Sequence, residues 1–209
     1  MHLSKQDIHN LDRIRRLNII NSITGIKPAN LVGTRSVGGQ SNLAIISSVV
    51  HLGSNPALVG FVMRPTTEVP RHTYDNIRET GVYTINHIHE SFIERAHFTS
   101  AKFEKHESEF DHCRLTEEYH ASFAAPFVKE SKLKLGMSLV DEVAIPANGT
   151  IMLVGEIQQL MMPDDIVNEE GYINLSEINT VGISGLNSYY RLNFLDSFPY
   201  ARKEELPDF

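Results

Sequence analysis

The feature that most constrains the fold is the stretch of residues 39–77, in which two apolar runs follow each other closely. The first run is LAIISSVV and the second is ALVGFVM. Short apolar runs rich in β-branched residues and bounded by turn residues are typical of buried strands. The second run leads directly into Arg64, and Arg71 follows at the expected start of a helix. The stretch therefore predicts a sheet with a concentration of hydrogen-bond donors beside one edge.

The remaining patterns predict further strands joined mostly by hairpins. Gly38-Gly39 is a turn signal between strands at 29–34 and 41–50, and Asn148-Gly149 is a strong hairpin signal before a strand at 150–161. Further strands are expected at 57–63, 82–88 and 131–140, a loop at 51–56, and helices at 4–20, 69–80 and 90–103. Because the βαβ alternation of a doubly wound sheet is missing, the sequence predicts a mainly β antiparallel barrel of six or seven strands with peripheral helices.

Composition bounds the class of protein. The chain has 209 residues and no linker-like stretch, so we expect one domain over residues 1–209, with a helix at about 4–20 and the barrel at about 22–200. The net charge of −7 argues against nucleic-acid binding. Cys113 is the single cysteine, and neither a membrane span nor a signal peptide is predicted. These features predict a cytoplasmic protein.

Several motifs that carry chemistry are absent. The chain has no G-x-G-x-x-G after a strand, no P-loop, no G-x-S-x-G and no H-E-x-x-H. His87 and His89 would share one face of a strand and form a conceivable metal site with His97 or Glu90. With ten histidines in the chain, chance spacing is the better explanation. We therefore expect no metal and no protein catalytic dyad.

The basic loop at 64–73 carries the strongest functional signal. Two arginines, a histidine and three threonines lie between a predicted buried strand and a helix N-terminus. Helix N-termini attract anions, and arginine binds phosphate with two parallel hydrogen bonds. Charge alone leaves a second explanation open, in which the loop is solvated and its arginines pair with acidic surface groups.

A resemblance to a known family favours the phosphate explanation. The segments SITGIKPANLVGT, GGQSNLAIISSVVHLGSNPALVGFVMRP and VPRHTYDNIRETGVYTINHI occur in order. Together with AHFTSAKFE and GLNSYY, they resemble the flavin reductase-like family of FMN-binding split-barrel proteins. The resemblance covers roughly residues 20–200 and is densest over 22–103. It implies a six-stranded antiparallel split barrel that forms a homodimer, with flavin bound near the subunit boundary.

The resemblance also implies a set of cofactor-binding residues. Ser41 and Asn42 match positions that face the isoalloxazine ring, and Thr34 matches a position at the ring edge. The other matches are with positions that contact the ribityl chain or the phosphate, namely Ser47, Ser48, Arg64, Pro65, Arg71, His72 and Thr73. The implied cofactor is FMN rather than FAD, with NAD(P)H as a transient co-substrate.

Three functions remain open from the sequence. The first is an NAD(P)H-dependent flavin reductase, in which the flavin carries the chemistry and the protein supplies binding and electrostatics. The second is an FMN-binding electron carrier or flavin oxidase without NAD(P)H reductase activity. The third is a split barrel without enzymatic activity that holds another phosphorylated ligand. Only small-molecule electron donors and acceptors and a second copy of the chain are expected as partners.

Overall fold

The computed structural model describes residues 1–66 and 69–208. The α-helices are α1 Lys5–Asn10, α2 Arg13–Ser22, α3 His72–Thr80, α4 Ile93–Phe98 and α5 Glu109–His112. The strands are β1 Lys27–Pro28, β2 Asn30–Arg35, β3 Ser41–Ile46, β4 Val50–Ser54, β5 Ala57–Met63, β6 Val82–His87, β7 Glu117–Glu118, β8 Phe127–Val128, β9 Lys134–Ile145, β10 Thr150–Met161, β11 Val181–Ser184 and β12 Ser188–Arg191. Short 3₁₀ turns lie at Glu90–Phe92, Asp164–Ile166 and Lys203–Glu205. Among the described residues, no helix is long and apolar enough to cross a membrane.

The main sheet has seven antiparallel strands in the order β3-β2-β6-β9-β10-β5-β4. Its two edge strands, β3 and β4, are consecutive in the chain and are separated only by residues 47–49. The edges therefore meet where the chain passes from one to the other, and the sheet closes. Counted as one bent strand, β3 and β4 complete a six-stranded barrel, so the predicted antiparallel split barrel is confirmed.

Two apolar clusters lie on either side of the barrel wall. The inner cluster fills the barrel and includes Val32, Phe61, Tyr83 and Leu153, each with no exposed surface. The outer cluster lies between the wall formed by β2, β3 and β6 and the helices α4 and α5. Because side chains alternate across a strand, β2 supplies Val32 to the inner cluster and Leu31 to the outer one.

Three predicted elements were wrong, and one of them is the helix at 90–103, which is a 3₁₀ turn at Glu90–Phe92 followed by the short helix α4 at Ile93–Phe98. The single N-terminal helix is two helices, because the Asp12 carboxylate accepts hydrogen bonds from the backbone N–H groups of Ile14 and Arg15 and starts a second helix. The predicted loop at 51–56 is mostly strand β4, since the turn is confined to Asn55 and Pro56 and the flanking residues pair with β5. The predicted strands at 57–63 and 150–161 are confirmed to the residue.

Candidate functional site

The N-terminus of α3 lies beside the end of β5. Arg71 is the N-cap residue of α3 and makes no side-chain cap, so the first N–H groups of the helix are open to an acceptor. The helix ends at Gly81, whose φ of 72° lies in the left-handed region that favours glycine. His72, the first helical residue, is half-buried. The helix therefore directs its positive dipole end toward the basic loop, as predicted.

The two arginines of the loop form a like-charged pair. Arg64 is exposed just beyond β5, whereas Arg71 is partly buried, and its Nε atom has no hydrogen-bond partner among the described residues. Burial, and then the charge of Arg64, lower the pKa of Arg71 below its ordinary value. Within residues 1–66 and 69–208, no carboxylate pairs with either guanidinium. Two neighbouring guanidiniums without a counter-charge are suited to an anion.

The break between β3 and β4 packs against the same strand. The Ser48 hydroxyl donates to the Val62 carbonyl at 3.2 Å and accepts from the Val62 N–H at 3.0 Å. Ser48 thus seals the barrel at a point two residues before Arg64. Ser47 is half-buried within the same break. The structure therefore brings Ser47 and Ser48 to the strand end that carries Arg64.

Three of the predicted residues, Thr34, Asn42 and Thr73, lie at the buried boundary between α3 and the sheet. The Asn42 side-chain amide donates to the Thr73 hydroxyl at 2.9 Å, and the Asn76 amide donates to the Thr34 hydroxyl at 3.1 Å. All four residues are buried. These two bonds fix α3 against β3 and β2, so Thr34, Asn42 and Thr73 position the N-terminus of the helix.

Ser41 lies on the other face of β3. Its hydroxyl is 2.9 Å from the Ser108 hydroxyl and also bonds to the Glu117 carboxylate, while its neighbour Asn42 bonds to α3. Adjacent residues of a strand point to opposite faces of the sheet. A ring on one face of β3 can therefore contact only one of these two side chains, although the resemblance places both residues beside it.

A hairpin supports the loop from below. Pro65 packs against the β9–β10 turn, where a Cβ atom at Gly149 would lie 3.6 Å from the proline Cγ. Tyr74 of α3 donates from its hydroxyl to the Glu142 carboxylate of β9 at 2.8 Å. Burial, followed by this bond, raises the pKa of Tyr74. Thr67, part of the predicted loop, lies outside the described residues.

Sequence reasoning missed the residues that hold the site in place. Glu109 is buried, and its carboxylate accepts from the Leu43 N–H of the edge strand at 2.8 Å. Burial raises the pKa of this carboxyl. Asn76 and Thr73 are three residues apart in α3, so helical spacing would have placed them on one face. No local pattern indicates Glu109 or Glu142, because their partners are more than 60 positions away in the chain.

Two concavities lie elsewhere on the chain. One, of about 650 Å³, is lined by residues that include Glu94, His97 and Tyr189, and another, of about 390 Å³, by residues that include Arg35 and Thr80. Neither is lined by a predicted cofactor-binding residue. Among the described residues, no three His, Cys, Asp or Glu side chains converge in a way that could hold a metal ion. His87 lies in β6, whereas His89 lies beyond it and caps the 3₁₀ turn.

The fold and the site together define a split-barrel protein with a basic cradle, formed by the 47–49 break, Arg64 and the N-terminus of α3. The family model described as flavin reductase like domain matches residues 26–179. The chain therefore belongs to the flavin reductase-like family, and the resemblance found in the sequence is confirmed.

Individual relatives show the same likeness. A flavin reductase-type protein with a split barrel domain from Shewanella frigidimarina NCIMB 400 is 49% identical, with a TM-score of 0.92, covering 96% of this chain and 100% of that chain. Flavoredoxin of Desulfovibrio vulgaris (Miyazaki F) is 20% identical with a TM-score of 0.72, covering 84% of this chain and 92% of its own, and shows the shared fold. The uncharacterized protein BH2278 of Halalkalibacterium halodurans is 26% identical, over 78% of this chain and 80% of its own.

Proposed function

We propose that the protein is an FMN-binding oxidoreductase that acts as an NAD(P)H-dependent flavin reductase. The observation that carries the proposal is the Arg64–Arg71 pair at the N-terminus of α3, with the buried Nε of Arg71 unpartnered among the described residues. A terminal phosphate monoester supplies the two negative charges and several acceptor oxygens that such a pair lacks. FMN ends in this group, whereas FAD does not, so the cradle favours FMN.

The residues divide into those that bind and those that position. Arg64, Arg71, His72 and the open N–H groups of α3 would hold the phosphate, with Ser47 beside them. Thr34, Asn42 and Thr73 would hold the helix, and Ser48 and Pro65 would hold the loop. Ser41 would fix the opposite face of β3 through its bond to Ser108. Each positioning bond reduces the entropy that phosphate binding would otherwise lose.

The flavin would supply the redox chemistry by accepting hydride from NAD(P)H at its ring. The chain's contribution is to bind and orient the group and to leave one face of the ring accessible to the nicotinamide. Backbone N–H groups near the ring would stabilise negative charge on the reduced form.

We also propose that the protein is a cytoplasmic homodimer whose subunit boundary adjoins the cradle. Val143, Met152 and Val62 lie in one row across β9, β10 and β5, and the neighbouring Leu52 packs over Gly60 on the same face. Val143 and Leu52 are exposed in the single chain. Val62 is also the residue that bonds to Ser48, so a second copy on this apolar face would lie beside the site. Contiguous exposed apolar surface is typical of such interfaces.

The test begins with flavin affinity and uses a matched pair of variants. We expect Arg71→Ala to raise the Kd for FMN by roughly 10- to 100-fold, since a hydrogen bond to a charged group contributes about 1.5–3 kcal/mol. Riboflavin, which lacks the phosphate, should bind both proteins equally. Arg78→Ala removes an exposed arginine of the same helix and should leave both affinities unchanged.

Activity is tested separately on the purified protein. It should be yellow, and its flavin absorbance should bleach under anaerobic conditions with NADH or NADPH. Bleaching by neither donor would favour the electron carrier or flavin oxidase. A colourless protein that takes up no added FMN would contradict flavin binding altogether, and mass spectrometry of extracted ligand would then identify any other phosphorylated compound in the cradle.

A further inference from the structure

The N-terminal helices lie at the surface of the described part of the chain. Neither α1 nor α2 contains a buried residue. Ile14, Leu17 and Ile20 recur at three-residue steps on α2, and Ile14 is 58% exposed. Isolated helices shorter than about 12–15 residues are marginal in water, and most helical stability in proteins comes from packing an apolar face. Caps from Ser4 and Asp12 start these helices, but the apolar stripe of α2 requires a cover.

The C-terminal arm, residues 193–208, is an irregular segment with exposed apolar side chains. It contains no strand or helix except the 3₁₀ turn Lys203–Glu205. Its large apolar side chains point into solvent, with Leu195 92% and Phe198 82% exposed. The bond that the Phe194 N–H donates to the Ser176 hydroxyl at 3.1 Å fixes the base of the arm. Past that bond, the described residues of the arm hydrogen-bond only within it.

Helix α2 and the C-terminal arm carry opposite charges. Arg13, Arg15 and Arg16 flank the stripe of α2 with no acidic residue in the helix. Arg16 donates to the carbonyls of His9 and Leu11, whereas Arg13 and Arg15 pair with no carboxylate among the described residues. The arm carries four acidic side chains against two basic ones, Asp196, Glu204, Glu205 and Asp208 against Arg202 and Lys203. An apolar, acidic segment thus complements an apolar, basic helix.

We propose that the arm of one copy docks on α2 of a second copy, and that the exchange is reciprocal. The arm's own copy does not serve, because its apolar side chains stand exposed when it is alone. Sixteen extended residues span at most roughly 50 Å, enough to cross to a neighbour and cover a helix about 15 Å long. Reciprocal exchange about a two-fold axis buries both segments twice and leaves none over. This reciprocal docking of arm and helix does not depend on flavin binding.

Disulfide trapping tests the proposal in the full chain. In a Cys113→Ser background, one copy carries Leu17→Cys and a second copy of different mass carries Phe198→Cys, and the two are co-expressed. We expect a disulfide-linked heterodimer under mild oxidation. Replacing Leu17→Cys by Val37→Cys, at a more exposed site on the β2–β3 turn, should yield at least tenfold less of the heterodimer. Equal yields would overturn the proposal.

Two further measurements separate docking between copies from docking within one. A chain that carries both Leu17→Cys and Phe198→Cys should form linked dimers, and a disulfide closed within a single chain would overturn the proposal. Arg13→Glu with Arg15→Glu should raise the dimer dissociation constant at least tenfold in sedimentation experiments at low salt. Adding Glu204→Arg and Glu205→Arg should restore most of that loss, and the absence of any rescue would contradict the charge pairing.

Discussion

Within the described part of the chain, buried polar side chains have hydrogen-bond partners at one end of the barrel interior and lack them at the other. At the α3 end, Thr34 bonds to Asn76, and Asn42 bonds to Thr73. Four residues earlier in β2, neither side-chain amide atom of Asn30 has a partner among the described residues, and His87 lies directly across from it. A buried polar group without a partner destabilises the fold, whereas a paired one fixes orientation. The comparison indicates that hydrogen bonds are concentrated where a helix must be held in one position.

The largest expected difference in the free energy of unfolding comes from an Asn→Leu substitution made at each end of the barrel interior. Asn76→Leu leaves the Thr34 hydroxyl buried without its donor and should lower the free energy of unfolding by about 1–3 kcal/mol. Asn30→Leu removes an unpartnered amide and should change it by less than ~0.5 kcal/mol or raise it. Urea denaturation measures both. Equal losses at the two positions would remove the distinction between the ends.

The stability of the protein should depend on pH through His87, which lies at the end of the barrel interior where Asn30 is unpartnered among the described residues. Burial lowers the pKa of His87 to about 4, although part of the residue's surface remains accessible. The unfolded chain, with an ordinary pKa near 6.5, then binds more protons than the folded one between about pH 6.5 and 4, so stability falls as pH falls through this window. Between pH 7 and 5 the protein should lose about 1–2 kcal/mol more than His87→Gln does. Parallel pH profiles of the two proteins would show that His87 is not the cause.

The smallest effect concerns the outer clamp of α3. Tyr74→Phe removes the hydroxyl that donates to Glu142 and should lower the free energy of unfolding by about 0.5–1.5 kcal/mol. A double-mutant cycle with Glu142→Gln isolates the pair, since Glu142 also lies 3.5 Å from the Arg78 guanidinium. A coupling energy near zero would show that the two interior bonds alone hold the helix.

Much of the fold could be predicted because its signals are local. The strand at 150–161, expected after the Asn148-Gly149 turn, and the apolar run at 57–63 matched the structure to the residue, and Gly81 ended α3 as expected. The predicted helix at 4–20 was wrong because Asp12 caps and starts a second helix within a continuous apolar stripe. The predicted loop at 51–56 was wrong because β4 is a short edge strand whose pairing with β5 outweighs its Gly, Ser and Asn content.

The residue types of the site could be read from the sequence, and the roles that the resemblance assigns to them stay predictions. The basic loop places Arg64 and Arg71 together as expected, because a strand end and a helix start are adjacent in the chain. Thr34, Asn42 and Thr73 are expected at the ligand, and the structure shows them hydrogen-bonded at the boundary between α3 and the sheet. The sequence does not show whether a hydroxyl or amide faces a ligand or a neighbouring helix, because long-range packing decides between these two environments.

By itself, the sequence determined the strands, the turns, the basic loop and the membership of a family, since each depends on neighbouring residues and their order. Only the tertiary structure decided that β3 and β4 close the barrel through Ser48, and that Glu109 and Glu142 support distant strands and helices. It also decided that, among the described residues, α2 has no buried residue and the large apolar side chains of the C-terminal arm are exposed. Burial and hydrogen bonding between residues far apart in the chain are properties of the packed whole, and no local pattern encodes them.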